Sequence, residues 1–343
     1  MGLKFKDIVE KEEIAIRDLK DKILAVDSMN ILYQFLTTIR GIDGSVLTDK
    51  NGRVTSHLIG LFNRATSLME QGLKLAFVFD GAPPKLKEKT KEIRKAVKAK
   101  AQLKLKEAQD GADYEQMRRQ AARTAVLTKE MVDDAKTVIT ALGLPVIQAP
   151  SEGEAQTAYM VAIGDAYASV SQDYDNLIFG CKTLVRNLSI AGKKRKNKFG
   201  FTIVKPEMMK LDNVLSSLGL NQDQLIVLAI LSGTDYNPGG IKGIGPKKGL
   251  KLLKEIESFD KIFQKVEWDK TYPDLKWQEV FDTIKDIPVT DKYDLKWNKI
   301  DRPAIMKLLV EGHDFSEGRV ISKLDRLEKS QKELSQKGLS AFF

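Results

Sequence analysis

Short apolar runs that stop at an acidic residue recur along the chain, and they set its predicted architecture. Residues 23–26 are aliphatic and β-branched and end at Asp27; residues 73–79 (LKLAFVF) end at Asp80, where Gly81 and the Pro83-Pro84 pair stop the strand. A third run, 168–170, is followed closely by Asp173 and Asp175. Between these runs the period becomes helical. Ile31, Leu32, Phe35, Leu36 and Ile39 share one face of a segment over 29–40, and 129–142 is amphipathic in the same way, leading into a short strand over 144–148. Further strands are predicted at 184–189 and 201–204, on either side of a basic loop over 192–200, with helices at 206–218 and 221–231.

This alternation predicts an α/β fold with a mostly parallel central sheet flanked by helices. In open parallel sheets ligands bind beyond the carboxyl ends of the strands, so Asp27, Asp80 and the Asp173/Asp175 pair are placed to share one rim. Each of these acids alone reads first as a turn or cap residue. Their recurrence at three strand ends favours a common site. The densest stretch, 149–180, adds Glu152 and Glu154, and Ser151 with Glu154 reads as a capping box that opens a helix. Capping does not exclude Glu154 from a ligand role.

Composition narrows the chemistry. The 343 residues are 42% apolar, enough for a substantial core and one globular body, and carry a formal charge of +9, which calls for an anionic partner such as nucleic acid or a membrane surface. No apolar run approaches the roughly 18 residues of a membrane span, and the first residues lack the apolar centre of a signal peptide, so a soluble intracellular protein is expected. A single cysteine, Cys181, and two histidines, His57 and His313, leave no thiolate or imidazole-rich metal site. Any metal is therefore expected on oxygen ligands, which suits magnesium or manganese.

Two basic regions complete the pattern. Residues 85–106 hold ten basic and two acidic side chains in a stretch that reads as exposed helix. Taken alone this reads first as a solvated helical face; directly after an acidic strand end it is placed to hold a phosphate backbone over the acids. The loop over 192–200 is open between phosphate contact and simple solvation. Further on, Asp235 is a seventh candidate carboxylate, and Gly240, Gly243, Gly245, Pro246, Lys247 and Lys248 form a glycine-punctuated turn at a helix start. Such a turn lets backbone N–H groups approach phosphates, a device for duplex contact without sequence preference. Seven carboxylates in one place would repel one another unless cations neutralise them, and two divalent ions roughly 4 Å apart can activate water for in-line attack on phosphorus.

The ordered series AVDSMNILYQFL, FVFDGAPPKLK, APSEGEAQ, SQDYDNLIFG and LSGTDYNPGGIKGIGPKK resembles the flap endonucleases, structure-specific 5′ nucleases of replication and repair, over essentially the whole chain. The resemblance implies a two-metal site of Asp27, Asp80, Glu152, Glu154, Asp173, Asp175 and Asp235, with two Mg²⁺ for which Mn²⁺ can substitute. It places Lys87 and Arg94 on the scissile phosphate and Tyr33 against a base beside it. Gly2, once Met1 is removed, and Arg40 are assigned to DNA contact. Gly240, Gly243, Gly245, Lys247 and Lys248 hold the downstream duplex with a backbone-bound K⁺. The segment DFSEGRV resembles the region that meets the displaced 3′ end. Ala82 departs from the pattern, since many relatives carry Lys there. The closing QKGLSAFF, through Gln336, Leu339, Phe342 and Phe343, resembles the peptide that docks replication sliding clamps.

The implied organisation is a nuclease domain over 1–325, with a basic arch over about 85–125 and a helical hairpin over about 225–256, then a tail over 326–343 whose clamp peptide is 336–343. The expected activity is cutting of 5′ flaps near the junction, with 5′–3′ exonuclease activity, in Okazaki fragment maturation and repair, by an archaeal-type monomer. Its partners would be branched DNA and the clamp, with no membrane. A sibling 5′ exonuclease, a bubble-cutting repair nuclease and a non-catalytic DNA-binding clamp adaptor are the alternatives, and the full acid set weighs against the adaptor. A magnesium phosphohydrolase of small esters would have no use for arch, turn or tail. Trp268, Trp277 and Trp297 are expected in packing roles rather than base stacking.

Overall fold

The computed structural model describes residues 3–41, 44–110, 116, 120, 124–195 and 201–340. In chain order the first elements are β1 (Glu12–Glu13), β2 (Ile23–Asp27), α1 (Ser28–Thr38), α2 (Ser56–Met69), β3 (Lys74–Phe79) and α3 (Glu88–Asp110). Then come α4 (Lys129–Ala141), β4 (Val146–Gln148), α5 (Gly153–Ala162), β5 (Ala168–Val170), α6 (Asp175–Ile178), β6 (Thr183–Arg186), β7 (Gly192–Arg195), β8 (Phe201–Val204) and β9 (Glu207–Lys210). The rest is helical: α7 (Leu211–Leu218), α8 (Gln222–Ser232), α9 (Pro246–Glu255), α10 (Phe259–Lys265), α11 (Trp268–Thr271), α12 (Trp277–Lys285), α13 (Arg302–Ile305) and α14 (Glu317–Ser340). The fold is a mixed sheet arrangement flanked by helices, in two compact units.

The first unit comprises 1–15, 79–93 and 148–291. Its strands run in the order β1, β9, β6, β5; β5 and β6 are parallel with Ser169 opposite Leu184, whereas β6 with β9 and β9 with β1 are antiparallel. Helix α8 is buried on every side from Leu225 to Leu231, which makes it the core helix of the unit. A reciprocal capping box of Asn221 and Gln224 starts α8, and Gly233, at φ +97°, ends it. Trp277 stacks on Phe263 with ring centroids 4.5 Å apart, and fully buried Trp268 donates its indole N–H to the Leu275 carbonyl at 2.6 Å, so both tryptophans pack.

Three local expectations change. The helix predicted over 206–218 starts only at Leu211, because residues 207–210 pair with β6 as β9 and the ladder outweighs the helix preference of Glu, Met and Lys. The strand predicted over 184–189 stops at Arg186, where Asn187 adopts a left-handed conformation at φ +62° and turns the chain. The basic loop over 192–200 begins as strand β7, which pairs antiparallel with β8, Gly192 opposite Val204.

The second unit comprises 16–78, 94–147 and 292–343. β2 and β3 run parallel, from Ile23 opposite Lys74 to Asp27 opposite Val78, and Phe77 N–H donates to the Pro145 carbonyl at 2.9 Å. α1 lies tight on α2, since a Cβ at Gly60 would fall 2.2 Å from Phe35 Cγ. Trp297 also packs, donating its indole N–H to the Leu75 carbonyl at 3.1 Å. Both histidines are structural. His313 bridges Asp49 at 3.2 Å and Asp134 at 3.1 Å, while burial, with His313 nearby, lowers His57 to about 4 and keeps it neutral. Helix α14 crosses residue 326 without a break and is fixed to α2 by Lys323 on Glu70 at 3.0 Å and Ser330 Oγ on the Glu70 carbonyl at 2.6 Å. Among the described residues no single helix is long and apolar enough to cross a membrane.

Candidate active site

Six of the seven predicted carboxylates, with Lys87, lie in the first unit. A glycine places the first of them. After β3 the chain runs against residues 149–151: Gly81 N–H donates to the Ser151 carbonyl at 2.6 Å, Ala82 N–H to the Pro150 carbonyl at 3.1 Å, and a Cβ at Gly81 would fall 2.2 Å from the Ala149 oxygen. Asp80 is thereby carried to the start of α5, where its Oδ1 accepts the Gly153 N–H at 2.8 Å. This overturns the predicted capping box. The N-cap is Glu152, whose side chain makes no capping bond, because a carboxylate distant in sequence satisfies the first free N–H of the helix. Ser151 does not cap, and Glu154 Oε1 faces Ser171 Oγ at 3.5 Å.

The second acid pair follows β5, Asp173 in the loop and Asp175 as the first residue of α6. Asp173 N–H donates to Ser171 Oγ at 3.3 Å, and Asp175 Oδ1 accepts the Leu3 N–H at 2.7 Å, so the amino-terminal segment reaches the acids. Beneath them, fully buried Asn176 donates from Nδ2 toward the Glu154 carbonyl at 3.0 Å and Thr157 Oγ1 at 2.9 Å, with Ser169 Oγ at 3.0 Å. Arg186 lies over the Tyr174 ring, 4.0 Å from its centroid, and donates to the Gln172 carbonyl at 2.9 Å. Sequence reasoning missed these positioning residues. Their signal is polar side chains set in runs that are otherwise buried.

Asp235 follows α8, and Lys87 joins it to the rest. The Lys87 ammonium pairs with Glu152 and lies 3.3 Å from Asp235. Burial works against that charge, yet Glu152 and Asp235 outweigh it and hold Lys87 above the usual lysine range. In turn, burial raises Glu152 despite Lys87, and Asp80 and Asp235 add to the rise. Enclosure by protein, then the Asp173 charge, pushes Asp175 up to about 7. Tyr236, buried beside four of these acids, is raised too and stays a neutral phenol. The acids thus share one field with the Lys87 ammonium inside it. Among the described residues no three acidic, imidazole or thiol groups are gathered tightly enough to ligate one ion. The donor set itself, all oxygen and short of positive charge, suits a hard divalent cation.

Other predicted residues fall in the second unit. Asp27 is buried at the end of β2 and caps α1, its Oδ1 accepting the Asn30 N–H at 3.1 Å. Tyr33 is exposed on α1, with Lys98 Nζ 5.6 Å from its ring centroid, and Arg94 is half-buried on α3. Arg40 closes the C-terminus of α1, donating to the Leu36 carbonyl at 3.1 Å and the Gly44 carbonyl at 2.9 Å. The arch expected over 85–125 is a single helix, α3, as far as Asp110; most of its remainder, with Gly2, Phe342 and Phe343, lies outside the described residues. Gln336 is exposed on α14, which also contains Leu339.

The glycine turn of the first unit forms as read. Gly240 (φ +59°) and Gly243 (φ +81°) are left-handed, Gly245 is the N-cap of α9 with Pro246 in its first turn, and Lys242, Lys247 and Lys248 are exposed.

Comparison with known proteins places this geometry. The XPG N-terminal domain matches residues 1–101 and the XPG I-region matches 143–235. Flap endonuclease 1 of Staphylothermus marinus is 46% identical over 351 residues that cover all of both chains, and that of Thermofilum pendens 47% identical over 347 residues, 100% of this chain and 99% of the relative. The solved structure of flap endonuclease-1 from Methanococcus jannaschii superposes with a TM-score of 0.74 at 41% identity, covering 96% of this chain and 98% of that one.

Proposed function

Because this chain belongs to the flap endonuclease 1 family, we propose that its acid cluster cuts DNA at 5′ flaps with the help of two Mg²⁺ ions. It is a structure-specific 5′ flap nuclease. The observation that carries the metal reading is the gathering of Asp80, Glu152, Glu154, Asp173, Asp175 and Asp235 into one field with Lys87 as the internal cation. These six would hold the ions. When bound, the ions supply an activated water and neutralise charge on the phosphate and the departing 3′ oxygen. The protein's own part is placement. Lys87 and Arg94 bring positive charge to the phosphate, and Tyr33 offers an exposed ring for a base. The glycine turn over 240–245, with exposed Lys247 and Lys248, would take the duplex backbone, aided by a backbone-bound K⁺. Shape rather than base identity then selects the substrate.

Stripping divalent ions is expected to abolish flap cutting, and returning Mg²⁺ to restore it; undiminished cutting by the stripped enzyme would refute the metal assignment. Stability reports on the same site. Asp175 has a folded pKa above its unfolded value, so its contribution is present at low pH and is lost as pH rises toward about 7. The rise in Tm on adding Mg²⁺ should therefore be larger at about pH 8 than at about pH 5.5. An equal rise at both would place the ions elsewhere.

The tail reading is a docking peptide for a sliding clamp, supported by exposed Gln336 near the end of α14. Deleting 336–343 should remove stimulation by the clamp while intrinsic cleavage stays within about twofold, because few anchor residues carry such an interface. Unchanged stimulation would reject this role.

A further inference from the structure

Thr90 lies in the first turn of α3, on the helix that Lys87 leads into, and is 4% exposed among charged neighbours. A buried hydroxyl is unfavourable unless it is hydrogen-bonded. This one donates to the main-chain carbonyl of Asp235. With Lys87 Nζ 3.3 Å from the Asp235 carboxylate, the base of α3 holds residue 235 twice, by its side chain and by its backbone.

The loop that carries Asp235 is closed on itself. At its neck Gly233 and Gly240 touch: a Cβ on Gly240 would fall 2.4 Å from Gly233 N, and Ile241 N–H donates to the Leu231 carbonyl at 2.9 Å. Inside, Thr234 Oγ1 donates to Asn237 Oδ1 at 2.6 Å and accepts the Tyr236 N–H at 3.1 Å, while Asn237 Nδ2 donates to the Ile230 carbonyl at 2.8 Å. Outside, the Tyr272 hydroxyl rests against the carbonyls of Asn237, Pro238 and Gly240 at 3.1–3.2 Å. Its single proton serves one of them at a time, so it braces the turn as a whole. A loop closed at neck, interior and flank moves as a body. Its one end presents Asp235, and its other end is the glycine turn.

We propose that Thr90 is a positioning residue: its hydroxyl ties the Asp235 loop to the helix that follows Lys87, so that a duplex held at the glycine turn sets the placement of Asp235 beside Lys87. The proposal rests on the nuclease reading and adds to it a residue that touches neither phosphate nor metal. Thr90→Val keeps the side-chain shape and removes the donor. Single-turnover flap cleavage is expected to slow roughly ten- to a hundredfold, the effect of a small misplacement at a reacting centre, with flap Kd within about twofold. Thr90→Ser should restore the rate, and Thr90→Ala should repeat the split should valine disturb folding. A Thr90→Val enzyme that cuts at the wild-type rate overturns the proposal. So does a parallel loss of affinity and stability that serine fails to rescue. A cycle of unfolding free energies between Thr90→Val and Asn237→Ala reads the same link without catalysis: coupling is expected, and additive effects overturn the link. A wild-type protein unable to cut flaps would overturn the nuclease reading instead, and this cycle would still decide the Thr90 link.

Discussion

Asp175→Ala is expected to slow flap cleavage at least about 1,000-fold at saturating Mg²⁺, about 4 kcal/mol of barrier, while flap Kd changes less than about threefold. The split follows from where the residue sits. Asp175 opens α6, accepts the Leu3 N–H at 2.7 Å and faces the Asp173 and Asp235 charges, well away in sequence from the glycine turn proposed to take the duplex. Its removal relieves repulsion among the acids, so metal-free stability near neutral pH should hold or rise even as activity disappears. Retention of most of the activity would remove Asp175 from the metal set. Cleavage rates and flap affinity, measured on one preparation, check both halves.

The second large effect is Lys87→Met, which keeps the stem and deletes the charge. Cleavage should fall roughly 100- to 1,000-fold, the range seen when one charge-stabilising group is lost from a preorganised site. Lys87 is the cation that lies against Glu152 and 3.3 Å from Asp235, and without it Glu152, already raised by burial, rises further. Metal-free protein should therefore lose stability above neutral pH, where the acids must carry charge unpaired, and regain it as pH falls. Lys87→Arg should recover part of the rate through its retained charge. Wild-type cleavage by Lys87→Met would leave this ammonium a purely structural partner of the acids.

The site was legible where local pattern and tertiary structure agree. Asp27 and Asp80 follow apolar runs that stop abruptly, and the helical period after Asp27 is unmistakable, so both were placed at strand ends from sequence. The glycine turn was legible because the left-handed backbone at Gly240 and Gly243 favours glycine. The capping box failed for a non-local reason: the first free N–H of α5 is taken by Asp80, brought there by the close passage of Gly81 along residues 149–151. β9 failed because its helix-favouring residues gain more from pairing with β6. Lys87 could be named but not located, since in a run of ten basic residues nothing local marks the one that turns inward to the acids. Asn176, Asn237 and Thr90 escaped notice because a polar side chain announces its burial only when the elements around it are in place.

The most direct measurement is a cleavage panel: labelled 5′ flap, nicked duplex, bubble and unstructured single strand, each with Mg²⁺ under the same conditions. The account predicts that the flap is cut fastest, near its junction, with little dependence on base sequence. Equal cutting of the unstructured strand would contradict it.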